Sequence, residues 1–397
     1  MTAQQTYDVV VVGGGPAGAT AANDLARTGL NVVLLDRAGR IKPCGGAVPP
    51  RLLKDFEIPE SLVVARCRAA RIIAPSKKEV DMPIDGGFVG MVDREVFDEW
   101  LRARAVAGGA QRRTGTFERI ERDPDGMAVV VYETRGESGN MLSSRLRARA
   151  VIGADGANSA VAKQSIPNRA KPKHVFAYHE IIKPPKDQGF DGTRCDIYYQ
   201  EAVSPDFYGW IFPHGETASV GVGSARKGFS LKGATHELRV RSGLTECETI
   251  RKEGAPIPLK PLKKWDNNKD IVLAGDAAGV VAPASGEGIY YAMCGGRLAA
   301  DAVMEYLATG ESRALAMARK RFMKKHGMVF WILGIMQYFW YSSDKRRERF
   351  VKMCDDPDVQ KLTWESYMNK ELVRRDPLAH VRIFFADLGH LFGVAKT

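Results

Sequence analysis

Val12-Gly13-Gly14-Gly15-Pro16-Ala17-Gly18 is the stretch whose reading decides the fold. Tyr7 to Val12, just before the glycines, is an apolar run of strand length, and Gly18 to Thr28 carries a helical pattern. Asn31 to Leu35 reads as the next buried strand and ends at Asp36, 23 positions after Gly13. Strand, glycine turn, helix, strand and terminal acid make the βαβ unit that holds a dinucleotide. Gly13, Gly15, Ala17 and Gly18 let backbone approach a pyrophosphate, whose charge rests on N–H groups at the helix N-terminus. Asp36 is then placed to accept hydrogen bonds from the adenosine ribose hydroxyls.

Two later segments repeat the strand-to-turn pattern. Ala150-Val151-Ile152-Gly153-Ala154-Asp155-Gly156 runs from an apolar strand into an Asp-Gly turn. Ile271-Val272-Leu273-Ala274-Gly275-Asp276 does the same, and Pro283-Ala284-Ser285-Gly286-Glu287-Gly288-Ile289 follows it. Either segment alone is an ordinary strand-ending turn. Taken in order, with Asp36-Arg37 and Arg94, they resemble the motifs of flavoprotein hydroxylases and reductases that bind flavin adenine dinucleotide (FAD). The resemblance implies that Asp276 binds the ribityl chain and that Arg94 lies against the FAD phosphates. Asp155 and Gly156 would lie near the pyrophosphate, on the side from which a nicotinamide approaches. Gly286 and Gly288, ahead of a helix at Ile289, would bring backbone N–H groups and a positive helix end to flavin N1 and O2.

Two further motifs sharpen the resemblance. Pro43-Cys44-Gly45-Gly46-Ala47 follows the second strand, and Pro205-Asp206-Phe207-Tyr208-Gly209-Trp210-Ile211-Phe212-Pro213 lies mid-chain. Both look like signatures of the geranylgeranyl reductases, nearest to the branch that reduces the geranylgeranyl tail of chlorophyll or bacteriochlorophyll. The resemblance runs from Tyr7 to about Leu307. It implies saturation of three of the four double bonds of a geranylgeranyl group, either on the diphosphate or esterified to (bacterio)chlorophyllide, giving phytyl. One dinucleotide fingerprint is present and goes to FAD, so the resemblance implies that NADPH docks transiently across the flavin face. A ferredoxin-type donor is the alternative, and a basic surface would suit an acidic protein. Two other functions compete: a flavin monooxygenase on the same fold, and a prenyl-binding escort protein without redox chemistry.

The fold class expected is α/β, similar to p-hydroxybenzoate hydroxylase. It has a discontinuous Rossmann-like FAD-binding domain (residues 1–50, 91–164 and 268–307) and an antiparallel-sheet substrate domain (51–90 and 165–267). A helical C-terminal region takes 308–397. Alternating runs at Cys195 to Gln200, Gly209 to Phe212 and Ala218 to Val222 support strands in the substrate domain.

An isolated trisubstituted alkene has nothing to polarise it. One sensible route is protonation at the less substituted carbon with hydride delivered from reduced flavin. Such a site needs an apolar tube, an acid on one face and aromatic walls for transient positive charge. Tyr208, Trp210 and Phe212 alternate and so share one face of a strand; they are expected to wall the tube, or else to be plain sheet core. The resemblance places Cys44 under the flavin ring with Gly45, Gly46 and Ala47, which makes Cys44 and Tyr208 the candidate catalytic residues. A thiol is tolerated in an apolar pocket at little desolvation cost. His174, His179 and His214 read as surface or satisfied core residues. The six cysteines are scattered without metal-ligand spacing, so no metal is expected.

The net charge of +11 is concentrated. Arg313 to Lys352 holds eleven Lys or Arg against Asp344 and Glu348. Within it, Gly327 to Ser343 has no charged residue and carries Phe330, Trp331, Tyr338, Phe339, Trp340 and Tyr341. As a helix it would be about 26 Å long, short of a ~30 Å hydrocarbon core. Basic flanks around an aromatic middle suit a segment lying on an anionic membrane surface; a buried helix packed on the flavin domain fits the same pattern. Clustered rather than interleaved aromatics argue against nucleic acid. Asp8 interrupts the first apolar run, so a secretory signal is not expected and the chain reads as cytoplasmic, peripheral to a membrane at most.

Overall fold

The computed structural model describes residues 5–370 except 38, 40, 137, 167–171 and 186–188. Parts of the expected first and last domains, residues 1–4 and 371–397, therefore lie outside the described residues. Six helices matter for the site: α1 (Pro16–Ala26), α2 (Arg94–Ala107), α3 (Ile289–Thr309), α4 (Met317–Trp340), α5 (Asp344–Met353) and α6 (Pro357–Asn369).

The first seven-stranded sheet has a parallel core. Gln111–Thr114, Val32–Asp36, Thr6–Val12, Met141–Gly153 and Ile271–Leu273 lie in that order. Val9 to Val12 and Val32 to Leu35 are essentially inaccessible, as continuous apolar runs in a doubly covered parallel sheet should be. The 13-residue strand Met141–Gly153 changes partner along its length. Its last part joins the parallel strands, and its first part pairs antiparallel with Ala128–Arg135, which continues to Thr116–Arg122. α1 and α3 pack together on this sheet, and the glycine-rich turn opens at its carboxyl edge.

The second seven-stranded sheet runs Thr249–Pro258, His174–Ile182, Thr217–Ser224, Gly209–His214, Arg194–Tyr198, Ala69–Ile73, Glu79–Pro83. It departs from the expected antiparallel pattern at one place, where Arg194–Tyr198 and Ala69–Ile73 pair parallel. These two strands come from separate chain segments, so no hairpin fixes their relative direction. A three-stranded sheet of Ala47–Val48, Val89–Val92 and Val63–Cys67 bridges the larger two.

The segment Gly327 to Ser343 lies mainly in α4, which begins ten residues before it, at Met317. Its inner face is buried through Phe322, His326, Phe330 and Trp340. Among the described residues no helix is long and apolar enough to cross a membrane.

Candidate functional site

Two cavities meet at the carboxyl edge of the parallel sheet. The first, about 430 Å³, is bordered by Gly13, Gly14, Gly15, Ala17, Asp36, Arg37, Asp155 and Gly156. The glycines divide into two kinds. Gly13 has φ +108°, and a Cβ there would sit 2.3 Å from the Ala154 carbonyl oxygen; a Cβ on Gly18 would sit 1.8 Å from that of Gly13. These two are demanded by the chain's own packing. Gly15 has no atom of the described residues within 4 Å of its would-be Cβ, so it faces open space at the α1 N-terminus. No side chain caps that end, which leaves first-turn N–H groups directed at the cavity. Residues and shape fit a dinucleotide: open backbone donors at one end and the Asp36 carboxylate at the other.

Asp36 is held by Arg102, whose guanidinium lies 3.3 Å from the carboxylate and 3.2 Å from the Gly14 carbonyl oxygen. Asp155 accepts from the Ser159 hydroxyl at 2.5 Å and from the Ala160 N–H at 2.6 Å, so it fixes the turn behind the cavity. Burial pushes its pKa up. Gly18, Gly275 and Pro283, expected as cofactor contacts, line neither cavity. Gly18 packs on Gly13, and a Cβ on Gly275 would meet that of Ala17 at 2.7 Å, so they shape the turn from behind. Pro283 is buried where the loop before α3 begins.

The second cavity, about 360 Å³, is a chamber whose wall is chiefly apolar. Cys44, Gly45, Gly46, Ala47, Arg94, Gly286, Gly288 and Ile289 line it, as do Tyr208, Trp210 and Phe212. Aromatic rings follow one another along that wall, with centroids 6.0 Å apart for Tyr208 and Trp210 and 6.2 Å for Trp210 and Phe212. The Tyr208 hydroxyl donates to the Ser285 carbonyl oxygen at 2.6 Å, and burial raises its pKa. Its proton is therefore committed to holding the loop before α3.

Cys44 accepts from the Gly46 N–H at 3.4 Å and lies beside the Arg94 guanidinium. Burial opposes the charge on Arg94, but Asp98, 2.6 Å away with its side chain 7% exposed, holds it protonated. Arg94 thus stands in the chamber wall rather than at the glycine turn; Asp98 and Arg102, one and two helical turns on along α2, border the dinucleotide cavity instead. The cavities share Pro16, Lys42, Ala255, Pro256, Asp276 and Ala292. Lys42 forms an ion pair with Asp276 at this seam.

His179, expected as a surface or satisfied core residue, is a satisfied one: it is buried in the chamber wall, with its ring nitrogens 2.8 Å from the Ser219 hydroxyl and 3.0 Å from the Glu253 carboxylate. His214 contacts the Phe212 carbonyl oxygen at 3.1 Å, and burial lowers its pKa. Sequence reasoning missed Lys42, which directly precedes the Pro43-Cys44 loop, and Arg102, which the i, i+4, i+8 spacing from Arg94 could have revealed. It also missed the C-terminal share of the chamber: Met336, Phe350, Met353, Trp364 and Tyr367 complete the wall.

A family model described as "Lycopene cyclase protein" matches residues 8–176. A geranylgeranyl diphosphate reductase of Rhodobacter capsulatus is 59% identical over 98% of both chains. A chloroplastic geranylgeranyl diphosphate reductase of Oryza sativa is 37% identical over 96% of this chain and 86% of its own. Among solved structures, a geranylgeranyl bacteriochlorophyll reductase-like protein of Thermoplasma acidophilum superposes with TM-score 0.80 at 23% identity, covering 95% of this chain and all of its own. That likeness establishes the fold.

Proposed function

The chain belongs to the geranylgeranyl diphosphate reductase family, and from that premise we propose that it is an FAD- and NADPH-dependent reductase of geranylgeranyl double bonds. Its substrate is geranylgeranyl diphosphate or the geranylgeranyl ester of a (bacterio)chlorophyllide, with phytyl as the product group. The observation that carries this reading is the seam: the cavity at the glycine turn and the apolar, aromatic-walled chamber share Lys42 and Asp276 in their linings.

Gly13 to Ala17, Asp36, Arg37, Asp155 and Gly156 would hold the dinucleotide, with Asp276, Gly286 and Gly288 toward its flavin end. When bound and reduced by NADPH, FAD would supply the hydride that an unpolarised alkene needs. The chain's own residues do the rest. Among the described residues, both Lys and Arg side chains of the chamber wall are already paired, Lys42 with Asp276 and Arg94 with Asp98. The interior therefore favours a neutral hydrocarbon chain and leaves a diphosphate or pigment head at its mouth. Tyr208, Trp210 and Phe212 exclude water and offer ring faces to positive charge developing on the prenyl chain. Cys44 is the residue we assign to the proton. The thiolate left behind would be met by the Gly46 N–H and the Arg94 guanidinium, which stabilise the charge without rearrangement. Tyr208 acts through its wall and its bond to the loop.

The test is to supply both substrates to the purified, flavin-loaded protein with NADPH, anaerobically, and to weigh the products. Stepwise gains of two hydrogens, up to three times, are expected. A preparation that folds but takes up no flavin, or that turns over only with oxygen, overturns the reading.

A further inference from the structure

One face of α4 has no cover among the described residues. Met328, Trp331, Ile335 and Tyr338 are 59%, 64%, 48% and 85% exposed. Their spacing of three, four and three residues aligns them on one stripe of the helix. Scattered apolar residues on a surface are ordinary, but a contiguous aromatic stripe marks a contact. Lys320 and Lys324, both exposed, extend the same stripe toward the helix N-terminus. Between Glu311 and Asp344 the sequence has no acidic residue at all. The opposite face of the helix faces inward: Phe330 and Trp340 are buried, and Met336, between the two faces, borders the chamber.

We propose that the outer face of α4 docks on the surface of an anionic lipid bilayer, with Trp331, Ile335 and Tyr338 in the headgroup layer and Lys320 and Lys324 against lipid phosphates. An in-plane helix of this kind buries its apolar face about 5–10 Å into the interface, and basic residues beside it gain from the negative surface potential. Trp and Tyr, apolar in body and polar at one end, suit that depth. A second copy of the chain would meet the same cluster of positive charge on its own α4, which disfavours a dimer through this face. Docking there also brings Met336, and with it one border of the chamber, to the bilayer side of the molecule.

Co-sedimentation of the full chain with vesicles tests the proposal without turnover, so its outcome is separate from that of the reductase reading. Binding is expected to vesicles of equal parts phosphatidylglycerol and phosphatidylcholine, with little to phosphatidylcholine alone. Lys320→Ala with Lys324→Ala should weaken binding about 25-fold, roughly fivefold per lysine. Trp331→Ala with Tyr338→Ala should weaken it at least tenfold with the melting temperature unchanged, since both side chains are exposed. Absence of binding by the parent chain overturns the proposal, as does binding that either double variant leaves intact. A concentration-dependent dimer abolished by Trp331→Ala with Tyr338→Ala would give the face to a second copy and overturn it equally.

Discussion

Lys370 forms an ion pair with Glu287 inside the protein, with the two side chains only 3% and 6% exposed. Burial lowers the pKa of the lysine and raises that of the glutamate, and each charge opposes that shift in the other, with the Tyr367 ring 3.8 Å from the lysine ammonium as a further support. Glu287 belongs to the loop before α3 and lines the chamber, whereas Lys370 follows the end of α6. The pair therefore clamps the last described helix over the chamber.

Removing one partner leaves a buried charge without compensation. Lys370→Met is expected to destabilise the protein by about 3–5 kcal/mol, and Glu287→Gln to do likewise. Lys370→Met combined with Glu287→Leu should recover most of the loss. Urea unfolding of the three variants checks this, and a double variant no more stable than either single one would show that the charges do not act as a pair.

The two kinds of glycine in the first turn separate folding from cofactor binding. Gly13→Ala would place a Cβ against the Ala154 carbonyl at a φ of +108°, so both stability and flavin content should fall. Gly15→Ala brings its Cβ within 4 Å of no atom of the described residues. It should melt like the parent when flavin-free and yet bind FAD at least tenfold more weakly, because the added methyl occupies the space of the pyrophosphate. Flavin titration beside a thermal melt reads both effects, and normal FAD affinity in Gly15→Ala would remove that turn from the phosphate site.

How far the sequence reveals this architecture depends on how local each feature is. The strand, glycine turn, helix and Asp36 lie within one βαβ unit, and short-range periodicity suffices to find them. Tyr208, Trp210 and Phe212 announce a shared face because a strand alternates every two residues. Lys42 and Asp276 are 234 positions apart and Glu287 and Lys370 are 83 apart, so nothing in their own neighbourhoods predicts either pair. The C-terminal helices show the same limit. Their spacing tells which residues share a face, but only packing decides that Met336 and Tyr367 close the chamber while Trp331 and Tyr338 point outward.

At the chamber, Cys44→Ala keeps every FAD contact attributed to backbone and should retain flavin. It removes the group assigned to the proton, together with the partner of the Gly46 N–H and Arg94. Alkene reduction is expected to slow tenfold or more, with flavin reduction by NADPH little changed. Stopped-flow absorbance separates the two half-reactions. Unaltered alkene turnover would take the thiol out of the mechanism.

His326 gives the fold a pH dependence of predictable sign. It lies on the inner face of α4, 1% exposed, among Tyr290, Tyr291 and Phe322, and neither ring nitrogen has a hydrogen-bond partner among the described residues. Burial, helped by the nearby Lys325 charge, brings its pKa down from 6.5 to about 4. The native state thus binds this proton less readily than the unfolded chain. Its contribution to stability is complete above about pH 6.5 and is lost as pH falls from there toward 4. Between pH 7 and pH 5 this one residue should cost about 2 kcal/mol. His326→Phe keeps an aromatic ring in an aromatic cluster and has no proton to take up. Its urea midpoint should therefore fall less than that of the parent over the same interval, and an identical fall in both would mean that the imidazole is already charged or hydrated in the native protein.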